Sequence, residues 1–136
     1  MRIPESPPTL PPTILFVVED DEPVLKSLEF SLGLEGFDVR SFRSSDDILA
    51  VPVFPRNACA VIDYWLPGQD GLAVVDALRK RGVDIPTILI TTNPSERTRR
   101  LSALAGVPIV EKPELGTKLT DAIRKAVGRN GPPPSA

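Results

Sequence analysis

The sequence predicts a doubly wound α/β domain, a five-stranded parallel sheet with helices on both faces. Five short apolar runs alternate strictly with five segments of helical periodicity across residues 13–128, and such alternation implies parallel strands joined by helical crossovers. The first run, "TILFVV" (13–18), is continuously apolar, as suits a strand buried on both faces. A length of 136 residues with no internal repeat fits one domain with a real hydrophobic core.

After the first strand, Leu25, Leu28 and Leu32 recur at helical spacing, and Gly33 and Gly36 are expected to close that helix. "FDVRSF" (37–42) alternates as a half-buried strand. "SSDDILAV" (44–51) reads as a short helix with a serine cap. "ACAVIDY" (58–64) forms the third strand, and Leu72, Val75 and Leu78 mark the next helix. "IPTILITT" (85–92) is the fourth strand, "SERTRRLSALA" (95–105) a helix opening after Pro94, and "VPIVEK" (107–112) the fifth strand. Leu119, Ile123, Ala126 and Val127 place an apolar stripe on a last helix.

Outside this body the composition changes. Eight of the 16 prolines fall in residues 1–12 and 129–136. Both ends, "MRIPESPPTLPP" and "RNGPPPSA", read as disordered, with Pro-rich ligands for a partner domain as the other reading.

Sixteen basic against 18 acidic residues give no bulk electrostatic reason to expect nucleic-acid or membrane binding. No apolar run approaches the roughly 18 residues of a membrane span, and the N-terminus lacks a signal pattern. A cytoplasmic location is expected. Cys59 is the sole cysteine, which excludes an internal disulfide, and its apolar setting suggests a core residue. The absence of histidine removes His-based catalysis, His-ligated zinc and any phosphohistidine step within this chain.

In doubly wound sheets ligands bind outside the carboxyl ends of the strands. The residues ending the five strands are Glu19-Asp20-Asp21, Phe42-Arg43, Asp63, Thr91-Thr92 and Lys112. Three carboxylates gathered there would repel, raising a pKa or requiring a cation. A hard divalent ion with oxygen ligands, Mg²⁺ foremost, resolves the conflict. Lys112 and the Thr91 hydroxyl suit phosphoryl oxygens. Together these groups describe a site for phosphoryl transfer onto the Asp63 carboxylate.

"VVEDDEPV", "VIDYWLPGQDG", "ILITT" and "VEKP", in that order, resemble the receiver domain of bacterial two-component response regulators over about residues 13–128. The resemblance implies the flavodoxin-like strand order 2-1-3-4-5. It implies Mg²⁺ bound by Glu19, Asp20, Asp63 and the backbone carbonyl of Trp65. Asp63 would be the phosphoacceptor, Thr91 the switch hydroxyl and Lys112 the phosphate-binding cation, with a cis bond possible at Lys112-Pro113. The phosphoryl donor would be a histidine kinase or a histidine phosphotransfer protein, and a downstream protein would bind the fourth helix, fifth strand and fifth helix. The chain would be a stand-alone signalling domain, or a piece cut from a longer regulator, and not an enzyme beyond self-phosphorylation and self-dephosphorylation.

Other polar residues have plainer readings. Asp21 and Glu22 before Pro23 suit a helix start. Asp70 suits local turn hydrogen bonding, and Gly71 the backbone geometry before the third helix. Arg97, Arg99 and Arg100 read as a solvated face, with partner docking as the alternative. Thr92 stands where the family usually has Ala or Gly, and its bulk, with Trp65, would restrict access to Asp63. Ile109 replaces the family's aromatic residue three positions before Lys112, and the Thr91–Lys112 segment is about one residue short. Both departures leave open a phosphorylation-independent interaction module. A Mg²⁺-dependent hydrolase with an aspartyl nucleophile fits less well, because Tyr64 and Trp65 follow Asp63 where a second acid is needed.

Overall fold

A computed structural model describes residues 11–112 and 116–130. The ten expected elements are all present: β1 (Ile14–Val18), α1 (Glu22–Leu34), β2 (Asp38–Phe42), α2 (Ser45–Leu49), β3 (Ala58–Asp63), α3 (Gly71–Lys80), β4 (Thr87–Thr91), α4 (Glu96–Ala105), β5 (Ile109–Glu111) and α5 (Gly116–Asn130). The strands form one sheet in the order β2-β1-β3-β4-β5, and every neighbouring pair is parallel. Residues 1–10, 113–115 and 131–136 lie outside the described residues, and with them most of the two Pro-rich ends and Pro113 of the expected cis bond.

Period-two alternation along the central strands divides the interior into two layers. Leu15, Val17, Cys59, Val61, Ile88 and Ile90 meet Leu25, Leu28 and Leu32 of α1 and Leu119 and Ile123 of α5. The opposite faces, Phe16, Val18, Ala60, Ile62 and Leu89, meet Ile48 of α2 and Val74, Val75 and Leu78 of α3. Burial pushes the Cys59 thiol up to about 12, so this cysteine is a core residue and not a nucleophile.

Several boundaries differ from the sequence expectation for local reasons. α1 continues through Gly33 to Leu34, and the left-handed residue after it is Gly36, at φ 98°. Pro86 and Pro108 have no N–H to give a ladder. β4 and β5 therefore begin just after these prolines, at Thr87 and Ile109, two residues later than expected, although both proline carbonyls still accept, from Ala60 N and Leu89 N. α5 runs through Asn130 and takes in the first two residues of the expected tail.

The caps are side-chain caps. Asp21 accepts from Val24 N, Ser44 from Asp47 N and Ser95 from Thr98 N. Asp70 accepts from Ala73 N and is the N-cap of α3, a stronger role than the turn bond expected of it. The α2–β3 connection is held from outside: the Arg81 guanidinium donates to the carbonyls of Leu49, Val51 and Pro52 and lies over the Phe54 ring.

Candidate functional site

Sheet register brings the polar strand ends together. Val18 pairs with Ile62, so Glu19 and Asp63, one residue on, emerge side by side. Asp63 pairs with Ile90 and Thr91 with Glu111. Thr91 therefore stands one residue beyond the row of Asp63, and Lys112 follows Glu111, the partner of Thr91. Four of the expected site residues thus share one edge because parallel strands end together.

Glu19, Asp63 and Thr91 are almost wholly buried there, at 0%, 1% and 0% exposure. Lys112 bridges the two acids, its Nζ 3.0 Å from Asp63 Oδ2 and 2.9 Å from Glu19 Oε1. The Asp63 contact is a directed hydrogen bond. The Glu19 contact lacks hydrogen-bond geometry and acts as an ion pair. Each acid also takes one backbone N–H: Asp21 N donates to Glu19 Oε2 at 3.1 Å, and Trp65 N to Asp63 Oδ1 at 3.1 Å. Asp20 is exposed, yet one carboxylate oxygen each from Glu19, Asp20 and Asp63 lies within 4.8 Å of the others. The Thr91 hydroxyl is buried and makes no hydrogen bond.

Two features go beyond the sequence reading. Lys112 reaches both carboxylates, which depends on the depth of Glu19. Gly71 is demanded by close approach: a Cβ there would lie 2.7 Å from the Asp63 carbonyl oxygen and 2.8 Å from Leu89 Cδ2. Its own N–H donates to the Tyr64 carbonyl at 2.8 Å, so α3 starts against the strand end that carries Asp63. Trp65 is 64% exposed and stands edge-on to Tyr64, with ring centroids 4.9 Å apart. Thr92 is exposed. Arg43 pairs with Glu22 at the rim. On α4, Arg99 pairs with Glu111 and Arg100 with Glu96, all on the surface, which matches a solvated face.

Electrostatics follow from burial. Burial pushes the Glu19 carboxyl up to about 7, and the neighbouring Asp63 adds to the effect against the lowering pull of Lys112. Burial alone would lower the Lys112 pKa, but the two carboxylates outweigh it and raise it. Lys112 therefore stays charged through neutral pH. A raised acid pKa gives stability at low pH that is lost on deprotonation, because between pH 4.5 and about 7 the folded state holds a proton the unfolded chain has released. Without divalent metal, stability should fall by on the order of 3 kcal/mol across that window. Denaturant unfolding at pH 5 and pH 8 in chelator will show it, and Glu19→Gln should flatten the difference.

Two buried carboxylates and an exposed third make an oxygen-only donor set suited to a hard divalent cation. The chemistry and the fold match known proteins. Residues 15–124 match the response regulator receiver domain family. The chain is 34% identical over 111 residues to the transcriptional regulatory protein FixJ of Rhizobium meliloti (strain 1021), covering 81% of this chain and 54% of that protein. It is 32% identical over 118 residues to the transcriptional regulatory protein PrrA of Mycobacterium tuberculosis (strain ATCC 25618 / H37Rv), covering 86% and 51%. The chain thus spans about half the length of these curated relatives. The crystal structure of FixJ-N superposes with a TM-score of 0.78 at 32% identity, covering 85% of this chain and 93% of that one. A Francisella response regulator receiver domain, at 19% identity and a TM-score of 0.77, shares the fold. The order β2-β1-β3-β4-β5, the acidic edge and the matched residues agree, and the chain belongs to the response regulator receiver domain family of two-component systems.

Proposed function

We propose that Asp63 accepts a phosphoryl group from a histidine kinase or histidine phosphotransfer protein, with Mg²⁺ bound beside it. The observation that carries this reading is the grouping at one sheet edge of two buried carboxylates, a lysine bridging them and a buried hydroxyl without a partner. An Asp63 oxygen attacks phosphorus, the O–P bond forms as the N–P bond to the donor's imidazole breaks, and the imidazole leaves with that electron pair. Lys112 neutralises charge at the acceptor carboxylate. Thr91 has a donor free for a phosphoryl oxygen. Glu19, Asp20, Asp63 and the Trp65 carbonyl would hold Mg²⁺, which when bound supplies charge neutralisation for the incoming phosphate. Trp65 and Thr92, both exposed, follow Asp63 and Thr91 closely in sequence and would slow water reaching the acyl phosphate. Output would pass to a protein partner on the α4, β5 and α5 face.

One observation favours a second reading, a phosphorylation-independent interaction module. Ile109 packs half-buried against the core where the family's aromatic switch residue stands. Intact-mass measurement of phosphate incorporation from acetyl phosphate separates the two. A Mg²⁺-dependent gain of one phosphate, abolished in Asp63→Asn, is the expected result. No incorporation in the unsubstituted chain would leave the constitutive module standing.

A further inference from the structure

Two strands at this edge are followed by cations, β2 by Arg43 and β5 by Lys112, and the two are held differently. Lys112 is committed to a buried acid on each side. Arg43 Nη1 meets Glu22 Oε2 at 3.0 Å, with the two side chains 62% and 53% exposed. An exposed pair of this kind holds weakly and opens at little cost. Glu22 also stands in the first turn of α1, where the helix dipole favours its charge without help from an arginine. The guanidinium can therefore exchange one carboxylate for another.

Register puts Arg43 in the row of Asp63. Val18 pairs with Phe42 on one side and with Ile62 on the other, so Arg43, Glu19 and Asp63 are the next residues on three adjacent strands. Glu19 N donates to the Phe42 carbonyl at 3.0 Å, which carries the ladder one step past the end of β2. Neighbouring strands lie about 4.8 Å apart, so the Arg43 and Asp63 backbones are roughly 10 Å apart across β1. A long arginine stem from one side and a small phosphodonor on Asp63 from the other together span that gap. On the phosphoacceptor reading, the phosphoryl oxygens are already provided for by Lys112, Thr91 and the acidic cluster. In-line displacement sends the leaving group away from the buried Asp63 carboxylate, toward the exposed rim to which Arg43 belongs.

We propose that Arg43 is a specificity-determining residue that receives the leaving carboxylate of a small acyl phosphate, and so sorts phosphodonors by the charge of their leaving group. The assignment rests on Asp63 being the phosphoacceptor. With an acyl phosphate, an Asp63 oxygen bonds to phosphorus as the bridging P–O bond breaks. The bridging oxygen keeps the electron pair and departs as part of a carboxylate, with no proton required. That carboxylate replaces Glu22 on the Arg43 guanidinium, whose planar fork fits it through two parallel hydrogen bonds. A phosphohistidine protonated on its other nitrogen leaves as an uncharged imidazole and gives Arg43 nothing to hold.

Two small donors isolate the leaving group. Acetyl phosphate releases acetate, and phosphoramidate releases ammonia. Initial rates of phosphate incorporation with Mg²⁺, read by intact mass on the full chain, give the ratio of the two. Arg43→Ala should lower the acetyl phosphate to phosphoramidate ratio roughly fivefold, the upper scale of an exposed charge pair. Carbamoyl phosphate, which releases an anionic carbamate, should fall with acetyl phosphate. Glu22→Gln removes the competing carboxylate and should raise the ratio. A ratio unchanged in Arg43→Ala, or both rates falling together, would overturn the assignment, because a role in the fold or at the phosphoryl group moves both donors alike. Incorporation from neither donor in the unsubstituted chain would overturn the phosphoacceptor reading itself, and the assignment with it.

Discussion

Replacing Lys112 with methionine should lower phosphate incorporation from acetyl phosphate by two to three orders of magnitude, about the loss seen when one preorganised donor to a developing charge is removed. The same substitution should destabilise the metal-free fold by about 3 kcal/mol at pH 8, because it leaves buried acids without their cation. Glu19 and Asp63 are both nearly inaccessible to water, and Lys112 is the cation within ion-pair distance of each. Loss of the lysine also removes the group that holds the Glu19 pKa down, so that carboxyl rises above its value of about 7. At pH 5 it is then protonated, the two acids share a proton, and the cost of the substitution shrinks. Added Mg²⁺ should recover much of the lost stability at pH 8 without restoring the rate, since the metal neutralises the acids but does not replace the ammonium. Guanidinium unfolding at both pH values, with and without Mg²⁺, checks the stability arm. A rate within tenfold of the unsubstituted chain would remove Lys112 from the chemistry.

The second large effect is a contrast between two glycines. Gly71→Ala should cost about 3 kcal/mol, the upper end of the usual overpacking penalty, and lower the melting temperature by about 10 °C. The new methyl would meet the Asp63 carbonyl oxygen at 2.7 Å and Tyr64 Cα at 3.1 Å, both backbone, besides Leu89 at 2.8 Å. Neither backbone atom can yield cheaply, because Tyr64 N donates to the Ile90 carbonyl and Gly71 N to the Tyr64 carbonyl. Gly33→Ala, in α1, has nothing within 4 Å of its Cβ. That change should stabilise the domain by up to about 1 kcal/mol through helix propensity. The same substitution thus carries opposite signs at the two sites, and thermal unfolding of the pair measures both. Gly71→Ala should also reduce phosphate incorporation, since the displaced strand end carries Asp63.

Much of this was legible in the residues because it depends on short-range pattern. Continuous apolar runs such as "TILFVV" and helical leucine spacing in α1 reflect burial directly, and all ten elements follow from them. The site was legible for the same reason: once the strands are parallel, their last residues must share an edge, and Glu19, Asp63, Thr91 and Lys112 do. What could not be read depends on distances between segments far apart in sequence. The double reach of Lys112 requires Glu19 at full depth. The need for Gly71 arises from β3 and β4 passing behind it. Asp70 reads as a turn residue until the helix after it is seen to begin at Gly71. α4 shows the limit of periodicity most plainly. Its buried residues are Thr98 and Ser102, and its two leucines, Leu101 and Leu104, stand exposed.

The chain contains a single tryptophan, and it is Trp65, with its amide on the Asp63 carboxylate and its ring against Tyr64. In optical terms the domain carries its own probe at the point of interest. Indole emission responds to the local field and to solvent contact, and here one indole sits two residues from the buried Asp63 carboxylate with most of its surface in water. On the proposed phosphoacceptor reading, cation occupancy and the lifetime of an acyl phosphate would therefore be followed in real time on the unlabelled chain, with no other indole to dilute the signal.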